Sequence, residues 1–340
     1  MNIKGSEMNN DTSVKDEAGQ VEYGFYDRLS AEFPSQVIID VTEVCNLACI
    51  HCPHPEFKKS EHYDARYLEP ELNKKIVDEV RSRGQGKTQY IRYSSEGEPL
   101  VHPKGYEMIE YAARNSGVYV TLTTNGTIMN EKRTRRLLDS GVHMIDISVD
   151  AFTPETYAKI RVNGDLNVTR TNILNLLSWI KQTGSTTKVV VSFIEQPQNT
   201  HEAADFETFW KAQGVDSVVI RRLHSAAGAV IDIARIMRVE QAKIARRPCV
   251  YPWERIVLNP RGHLAFCPAD WTHGSTIVDY RSTTIEETWQ SDFYRRLRDA
   301  HIKNDFALHG FCGQCPDWKQ TRWPKEGRGY ANLIEELQQD

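Results

Sequence analysis

The sequence has no apolar run approaching the roughly 18 residues that a membrane-spanning helix needs; its most apolar stretches, such as Val189 to Phe193, are strand-sized. It also lacks a surplus of either charge, since 42 Lys and Arg stand against 46 Asp and Glu, a formal net charge of −4. Binding of nucleic acid or an anionic membrane through gross charge is therefore not expected. No internal repeat occurs, and the only biased stretch is the polar, turn-rich Met1 to Gln20. No apolar core follows a basic start there, so a secretory signal is not expected. These absences together lead to the expectation of a soluble, cytoplasmic protein with no nucleic-acid or membrane partner.

What is present is an ordinary globular composition, 40% hydrophobic and 26% charged over 340 residues, enough for two domains or one long α/β domain with an extension. Apolar runs at Val37–Val41, Tyr90–Tyr93, Val118–Leu122, Met144–Val149, Lys188–Phe193 and Ser217–Ile220 read as six strands. Helical spacing occupies the intervals at Glu69–Arg83, Tyr106–Asn115, Glu131–Asp139, Val168–Lys181 and Ala203–Gln213. Strands alternating with helices imply a parallel sheet, open or curled into a barrel. A helix-like stretch, Gln241–Arg246, ends at Pro248, after which Arg255–Leu258, a turn at Asn259–Gly262 and His263–Phe266 form a hairpin. A helix at Ile285–Asp299 and a terminal helix at Gly327–Asp340 complete the reading.

All seven cysteines fall into two sets: Cys45, Cys49 and Cys52 after the first strand, and Cys249, Cys267, Cys312 and Cys315 beyond the alternating region. In a reducing compartment such cysteines are metal ligands or catalytic groups rather than disulfides. A three-cysteine pattern at fixed spacing arises by chance about 0.003 times in a chain of this composition, so three unrelated buried thiols are a weak alternative. Three thiolates at spacings of four and three positions fold around one soft-metal centre and leave it a ligand short, whether for tetrahedral zinc or for a closed four-iron cluster. The H-x-E and P-C-x-x-C arrangement of the zinc deaminases is absent. For the second set, four thiolates suit structural zinc and an iron-sulfur cluster almost equally.

Cys45-Asn46-Leu47-Ala48-Cys49-Ile50-His51-Cys52, a C-x3-C-x2-C pattern at the end of a β/α strand, resembles the signature of the radical S-adenosylmethionine (SAM) enzymes. The likeness covers residues 36 to about 225 and implies a partial (β/α)6 TIM-type barrel, α/β in class, with a catalytic [4Fe-4S] cluster on Cys45, Cys49 and Cys52 that chelates SAM. Ser95-Glu96-Gly97-Glu98-Pro99 is similar to the family's G-G-E-P segment, with Glu96 as a departure. The resemblance gives Gly97, Glu98 and Pro99 the methionine ammonium, and Glu98 its acid. It places Thr123, Asn125, Ser148 and Asp150 at the ribose, Arg161 at the cofactor carboxylate and His51 beside the adenine. An Asn-Gly pair such as Asn125-Gly126 is also a common turn, and Ser148-Val149-Asp150 could simply cap a helix.

Cys249-x12-Gly262-x4-Cys267 followed by Cys312-x2-Cys315 resembles a shortened SPASM, or Twitch, domain. That likeness implies a small C-terminal α+β domain whose four cysteines hold one auxiliary [4Fe-4S] cluster. The implied organisation is a flexible tail at 1–35, a partial barrel at 36–225, a linker helix at 226–248, the auxiliary-cluster domain at 249–320 and a C-terminal helix or tail at 321–340.

By the same resemblance, the chain is a radical SAM oxidoreductase, dehydrogenase-like, that takes hydrogen from a small hydroxylated substrate, namely a sugar, polyol or aminocyclitol. The auxiliary cluster would then accept an electron, and an external donor such as flavodoxin or ferredoxin would feed the first. With every cysteine used by a cluster, no thiol remains to return hydrogen, so oxidation is expected over carbohydrate epimerisation. Some 35 residues before the first strand are too few for a leader-binding domain, which disfavours peptide maturation. An iron-sulfur electron-transfer protein is the alternative outside catalysis. Tyr93, Glu195, Arg221, Arg222 and His224 are expected near the substrate, and Trp253, Trp271 and Trp318 near the cluster cysteines as shields or as a stacking surface.

Overall fold

The computed structural model describes residues 14–15, 22–94, 96–241 and 244–339. Ser95 of the segment before Pro99, and residues 1–13 and 16–21 of the expected tail, lie outside the described residues. A short antiparallel ladder pairs β1 (Val14–Lys15) with β2 (Glu22–Tyr23). The main sheet starts at β3 (Gln36–Ile39), all four residues buried, as a strand covered on both faces requires. There follow α1 (His54–Phe57), α2 (Pro70–Arg83), β4 (Tyr90–Tyr93), α3 (Gly105–Asn115), β5 (Tyr119–Thr124), α4 (Glu131–Asp139) and β6 (Met144–Ser148). Next come α5 (Pro154–Ile160), α6 (Leu166–Thr183), β7 (Lys188–Glu195), α7 (Ala203–Ala212) and β8 (Ser217–Arg222). Local chemistry sets the helix starts: Asn130, Thr153 and Asp165 each cap the next helix with a side-chain oxygen on a backbone N–H.

β3 to β8 pair in sequence order and all in parallel, so the six expected strands form the expected partial barrel. The sheet remains open. Apolar faces of α2, α3, α4, α6 and α7 pack on its outer side, with Ile76, Ile109, Leu137, Ile173 and Phe206 at zero exposure.

The remainder comprises α8 (Ile231–Gln241), α9 (Tyr251–Glu254), β9 (Arg255–Leu258), β10 (His263–Ala265), β11 (Thr276–Asp279), α10 (Ile285–Trp289), α11 (Asp292–Lys303), α12 (Gly310–Gln314) and α13 (Tyr330–Gln339). Gly262, at φ +80°, makes the β9–β10 turn possible. β9 pairs antiparallel with β10 and parallel with β3, so the C-terminal hairpin extends the main sheet to nine strands, β11-β10-β9-β3-β4-β5-β6-β7-β8. The α+β unit is thus joined edge to edge to the barrel.

Several expectations are corrected. β11 was not foreseen, because its half-buried Thr-Ile-Val-Asp carries little apolar signal. The helix over Ile285–Asp299 is two helices, since the Ser291 hydroxyl caps a new start at Asp292. Of the helix read at Gln241–Arg246, Ala242 and Lys243 lie outside the described residues and 244–246 are not helical; a helix occupies Ile231–Gln241, where exposed Ile231, Ile236 and Val239 blur the amphipathic pattern. The tail does not extend to 35. Tyr23, Leu29 and Phe33 are buried, Tyr23 packs edge-on against Trp323 at 5.2 Å, and the Ser30 carbonyl accepts a hydrogen bond from Trp289 Nε1 at 3.0 Å. α13 closes the amino-terminal end of the sheet's inner face, packing Ala331, Leu333, Ile334 and Leu337 on Tyr90, Tyr119, Met144 and Val190.

Candidate functional site

Strand alternation decides which side chains reach the interior. In β4, Arg92 points inward and donates from Nε and Nη2 to Thr123 Oγ1 at 3.0 and 2.8 Å. Tyr93 therefore points outward, and its hydroxyl donates to Asn73 Oδ1 at 2.7 Å beneath α2, so its expected place near the substrate is corrected. Glu195 is also corrected, since it is exposed at the end of β7. The interior charge that sequence reading missed is Asp146, which is fully buried. Arg221 Nη2 lies 2.5 Å and Arg92 Nη2 3.7 Å from its Oδ2, and Ser192 donates to its Oδ1. An arginine and an aspartate inside otherwise apolar strands were the available signal. Tyr330 of α13 stacks on the Arg92 guanidinium at 4.0 Å.

Directly after β3 the chain loops through Cys45, Cys49 and Cys52, all free thiols. Burial pushes Cys45 and Cys52 up to about 12 and raises Cys49, so without metal these thiols hold their protons. The loop is anchored to the α5 end, where Ala48 N–H donates to the Val162 carbonyl and Ile50 N–H to that of Ile160, both at 3.0 Å. Arg161 closes the same end. Its Nε and Nη2 hold Asp150 Oδ2 at 2.8 and 2.5 Å, and its Nη1 lies 3.7 Å from Cys49 Sγ. Asp150 Oδ1 accepts from Ile194 N–H at 2.6 Å. His51 Nε2 is 3.6 Å from Asp150 Oδ2, and burial lowers the ring to about 4 despite that carboxylate, so His51 is neutral.

The loop after β4 is held by close backbone approach. A Cβ on Gly97 would lie 2.3 Å from the Thr42 carbonyl oxygen and 2.6 Å from that of Val44, so no side chain fits there. Glu98 caps the turn beginning at Pro99 and ties it to the end of β5, accepting from Leu100 N–H at 3.1 Å, Thr124 Oγ1 at 2.7 Å and Asn125 N–H at 2.7 Å. Asn125 in turn donates from Nδ2 to Asn46 Oδ1 at 2.9 Å, linking this loop to the first cysteines. Glu96 is buried, and burial followed by the Asp40, Glu43 and Asp270 carboxylates pushes its carboxyl well above the ordinary range.

Cys249 precedes α9, Cys267 follows β10, and Cys312 and Cys315 sit on α12 and at its end. Burial raises all four, Cys315 up to about 12. Backbone N–H groups already point at sulfur: His54 N lies 3.5 Å from Cys52 Sγ and Asp317 N 3.4 Å from Cys315 Sγ. Donors of this kind stabilise thiolates that ligate metal. Arg246 donates to the Gly313 carbonyl at 2.9 Å and the Cys312 carbonyl at 2.6 Å, bracing α12.

One cavity of about 600 Å³ runs from the loops at the carboxyl ends of the strands along the inner face of the sheet to Tyr330 and Ala331 of α13, and is lined by all seven cysteines. Of the residues singled out from sequence, His51, Gly97, Glu98, Thr123, Asn125, Ser148, Arg161, Arg221, Arg222, His224, Trp271 and Trp318 also line it. Pro99, Asp150 and Trp253 do not: Pro99 opens the turn behind Glu98, Asp150 lies beneath Arg161, and Trp253 packs on Trp323 at 5.1 Å. A larger, more open hollow of about 1190 Å³ at the opposite end of the strands holds none of the cysteines. The carboxyl-end location is where parallel α/β folds bind ligands. The donor set there, three thiols in one loop and four from three separate segments of the C-terminal unit, suits iron-sulfur centres. Among the described residues, no helix is long and apolar enough to cross a membrane.

The family model described as the radical SAM superfamily matches residues 39–206, and that of the SPASM iron-sulfur cluster-binding domain matches 249–316. A probable GTP 3',8-cyclase from Methanococcus maripaludis is 32% identical over 135 residues, 40% of this chain and 43% of that protein. An AdoMet-dependent heme synthase from Methanosarcina barkeri is 31% identical over 128 residues, 38% of this chain and 34% of its own length. The chain thus spans less than half the length of these curated relatives. Among solved structures, BtrN in complex with AdoMet and 2-DOIA superposes with a TM-score of 0.55 at 16% identity, covering 83% of this chain and 92% of BtrN. Streptococcus suis SuiB bound to precursor peptide SuiA gives a TM-score of 0.63 at 15% identity, covering 89% and 73%. At these identities the structures establish a shared fold.

Proposed function

We propose, for a chain that belongs to the radical SAM superfamily and carries a SPASM iron-sulfur domain, the oxidation of a secondary hydroxyl to a ketone on a small polyol, sugar or aminocyclitol. Cys45, Cys49 and Cys52 would hold the catalytic [4Fe-4S] cluster, and Cys249, Cys267, Cys312 and Cys315 the auxiliary one. When bound, the catalytic cluster and SAM supply a 5'-deoxyadenosyl radical that removes a C–H hydrogen, and the auxiliary cluster supplies an electron acceptor.

The chain's own residues prepare the site. Gly97 lets the loop after β4 pack directly on the backbone of Thr42 and Val44, which keeps it beside the first cysteine loop, where it would receive the cofactor's methionine end. Glu98 fixes that loop by binding Thr124 and Asn125. Arg161, held by Asp150, keeps a positive charge beside Cys49, where it would meet the cofactor carboxylate. Neutral His51, Thr123, Asn125 and Ser148 line the cavity where they would hold the adenosine end. Arg221, Arg222 and His224 stand on the substrate side, and Trp271 and Trp318 exclude water. An external donor such as flavodoxin or ferredoxin would deliver the first electron.

The observation that carries this reading is that both cysteine sets line one cavity and together account for every thiol in the chain; with both clusters bound, an electron acceptor would lie close to the substrate and no cysteine would remain to return hydrogen. The test incubates reduced, cluster-loaded protein with SAM and candidate polyols, sugars, aminocyclitols or peptides in deuterated water, followed by mass spectrometry. A hydroxylated substrate that emerges two hydrogens lighter supports oxidation. A substrate of unchanged skeleton carrying solvent-derived deuterium, or modification of peptides alone, overturns it.

A further inference from the structure

At one wall of the cavity, where Glu96 lines it between the barrel and the C-terminal hairpin, lies a group of acids that the proposed chemistry does not use. Glu43 follows β3, Glu96 follows β4, and His273 sits between β10 and β11. One carboxylate oxygen of each glutamate and one ring nitrogen of His273 all lie within 4.8 Å of one another. Glu43 and Glu96 are almost fully buried, at 0% and 6% exposure, and His273 is half-buried.

Among the described residues, carboxylates outnumber permanently charged cations in this pocket. The acids are Asp40, Glu43, Glu96 and Asp270, and the basic side chains facing them are Arg261, His62 and His273. Arg261 is spent on Glu43 Oε1 at 2.9 Å and on the His62 carbonyl. Glu43 Oε2 is spent on Asp64 N–H and Arg66 N–H at 2.8 and 3.1 Å. Asp270 caps its own loop through Thr272, Gly274 and Ser275 N–H, and Asp40 Oδ2 accepts from Glu96 N–H at 3.0 Å. Glu96 Oε2 is buried and has no hydrogen-bond partner among the described residues. A buried carboxylate oxygen in that state calls for a proton or a cation.

We propose that Glu43, Glu96 and His273 bind one divalent cation of the manganese, iron or zinc type, with water completing its shell. Two carboxylates and an imidazole suit such borderline ions better than the all-oxygen preference of calcium or magnesium. Donors bonded to one ion at about 2.1 Å lie roughly 3.0–3.6 Å apart, so the three groups, now within 4.8 Å of one another, close by up to about 1–2 Å as the ion binds. Because the three ligands come from the barrel and from the C-terminal hairpin, the ion clamps the two together. The site also gives a physical role to Glu96, the residue that departs from the glycine of the resembled segment.

The test uses full-length protein with both iron-sulfur clusters loaded and oxidised, so that thiolates are occupied and the clusters are silent in electron paramagnetic resonance. After chelator washing, Mn²⁺ is titrated and free Mn²⁺ is read from its six-line spectrum. The expected result is one bound Mn²⁺ per chain, with affinity at least tenfold weaker in Glu96→Gln and in His273→Asn, iron and sulfide content being retained. If Glu96→Gln loses iron, His273→Asn on the outer loop carries the comparison. Absence of bound Mn²⁺ in the unaltered chain, or equal affinity in it and the iron-retaining variants, overturns the site and leaves a protonated Glu96.

Discussion

Arg161 Nη1 lies 3.7 Å from Cys49 Sγ while the rest of the guanidinium is locked onto the fully buried Asp150. The contact fixes a cation against the first cysteine loop. Removing one member leaves the other charge buried and unpaired, which costs about 3–5 kcal/mol. Arg161→Met should therefore unfold at distinctly lower denaturant than the parent, and the double variant with Asp150→Asn should recover part of the loss. A double-mutant cycle by urea denaturation of the iron-loaded protein checks this; additive single effects would show that the pair is not coupled.

Gly97→Ala places a methyl 2.3 Å from the Thr42 carbonyl oxygen. The loop after β4 must then retreat, while the cysteine loop retains its own anchors at Val162 and Ile160. SAM affinity should fall by roughly tenfold or more, as for the loss of about 1.4 kcal/mol of binding, with iron content unchanged. Equilibrium binding of SAM alongside iron analysis reads both outcomes.

Loss of the auxiliary set separates the two centres. Cys312→Ser with Cys315→Ser should reduce iron from roughly eight to roughly four per chain if each set holds a four-iron cluster. Iron, zinc and sulfide analysis decides it. About four iron and one zinc in the unaltered chain would replace the auxiliary cluster by structural zinc.

Two histidines away from the cysteines make stability depend on pH. Burial lowers His102 and His143 below the ordinary 6.5. Their Nδ1 atoms accept from Lys104 N–H at 2.9 Å and Val120 N–H at 3.0 Å, bonds that a charged ring cannot accept. The unfolded chain thus binds more protons than the folded one below about pH 6.5. Stability should be complete above that pH and decline as pH falls from it toward the lowered folded values. His143→Asn, which keeps an acceptor without titrating, should flatten the decline in denaturation curves taken between pH 7 and 5.

Much of this was legible in the sequence, because the governing patterns are local. Six apolar runs separated by helical spacing determined the parallel order, and Cys45, Cys49 and Cys52 marked the mouth of the cavity. What the sequence did not reveal depends on contacts distant along the chain. Asp146 meets Arg92 and Arg221 only once β4, β6 and β8 line up, and the placement of β9 beside β3 joins residues more than two hundred positions apart. Tyr93 and Glu195 were misplaced for a simpler reason: a shift of one residue along a strand exchanges the inner face for the outer, and the mixed pattern Tyr-Ile-Arg-Tyr does not announce which side is which.

The most direct test follows 5'-deoxyadenosine and methionine released from SAM by anaerobically reconstituted, chemically reduced protein. Near-equal amounts of both are expected from the unaltered chain and none from a variant in which Cys45, Cys49 and Cys52 are all alanine. If the unaltered chain leaves SAM intact, or the triple variant cleaves it as well, the three-cysteine loop is not the origin of the radical and the account fails.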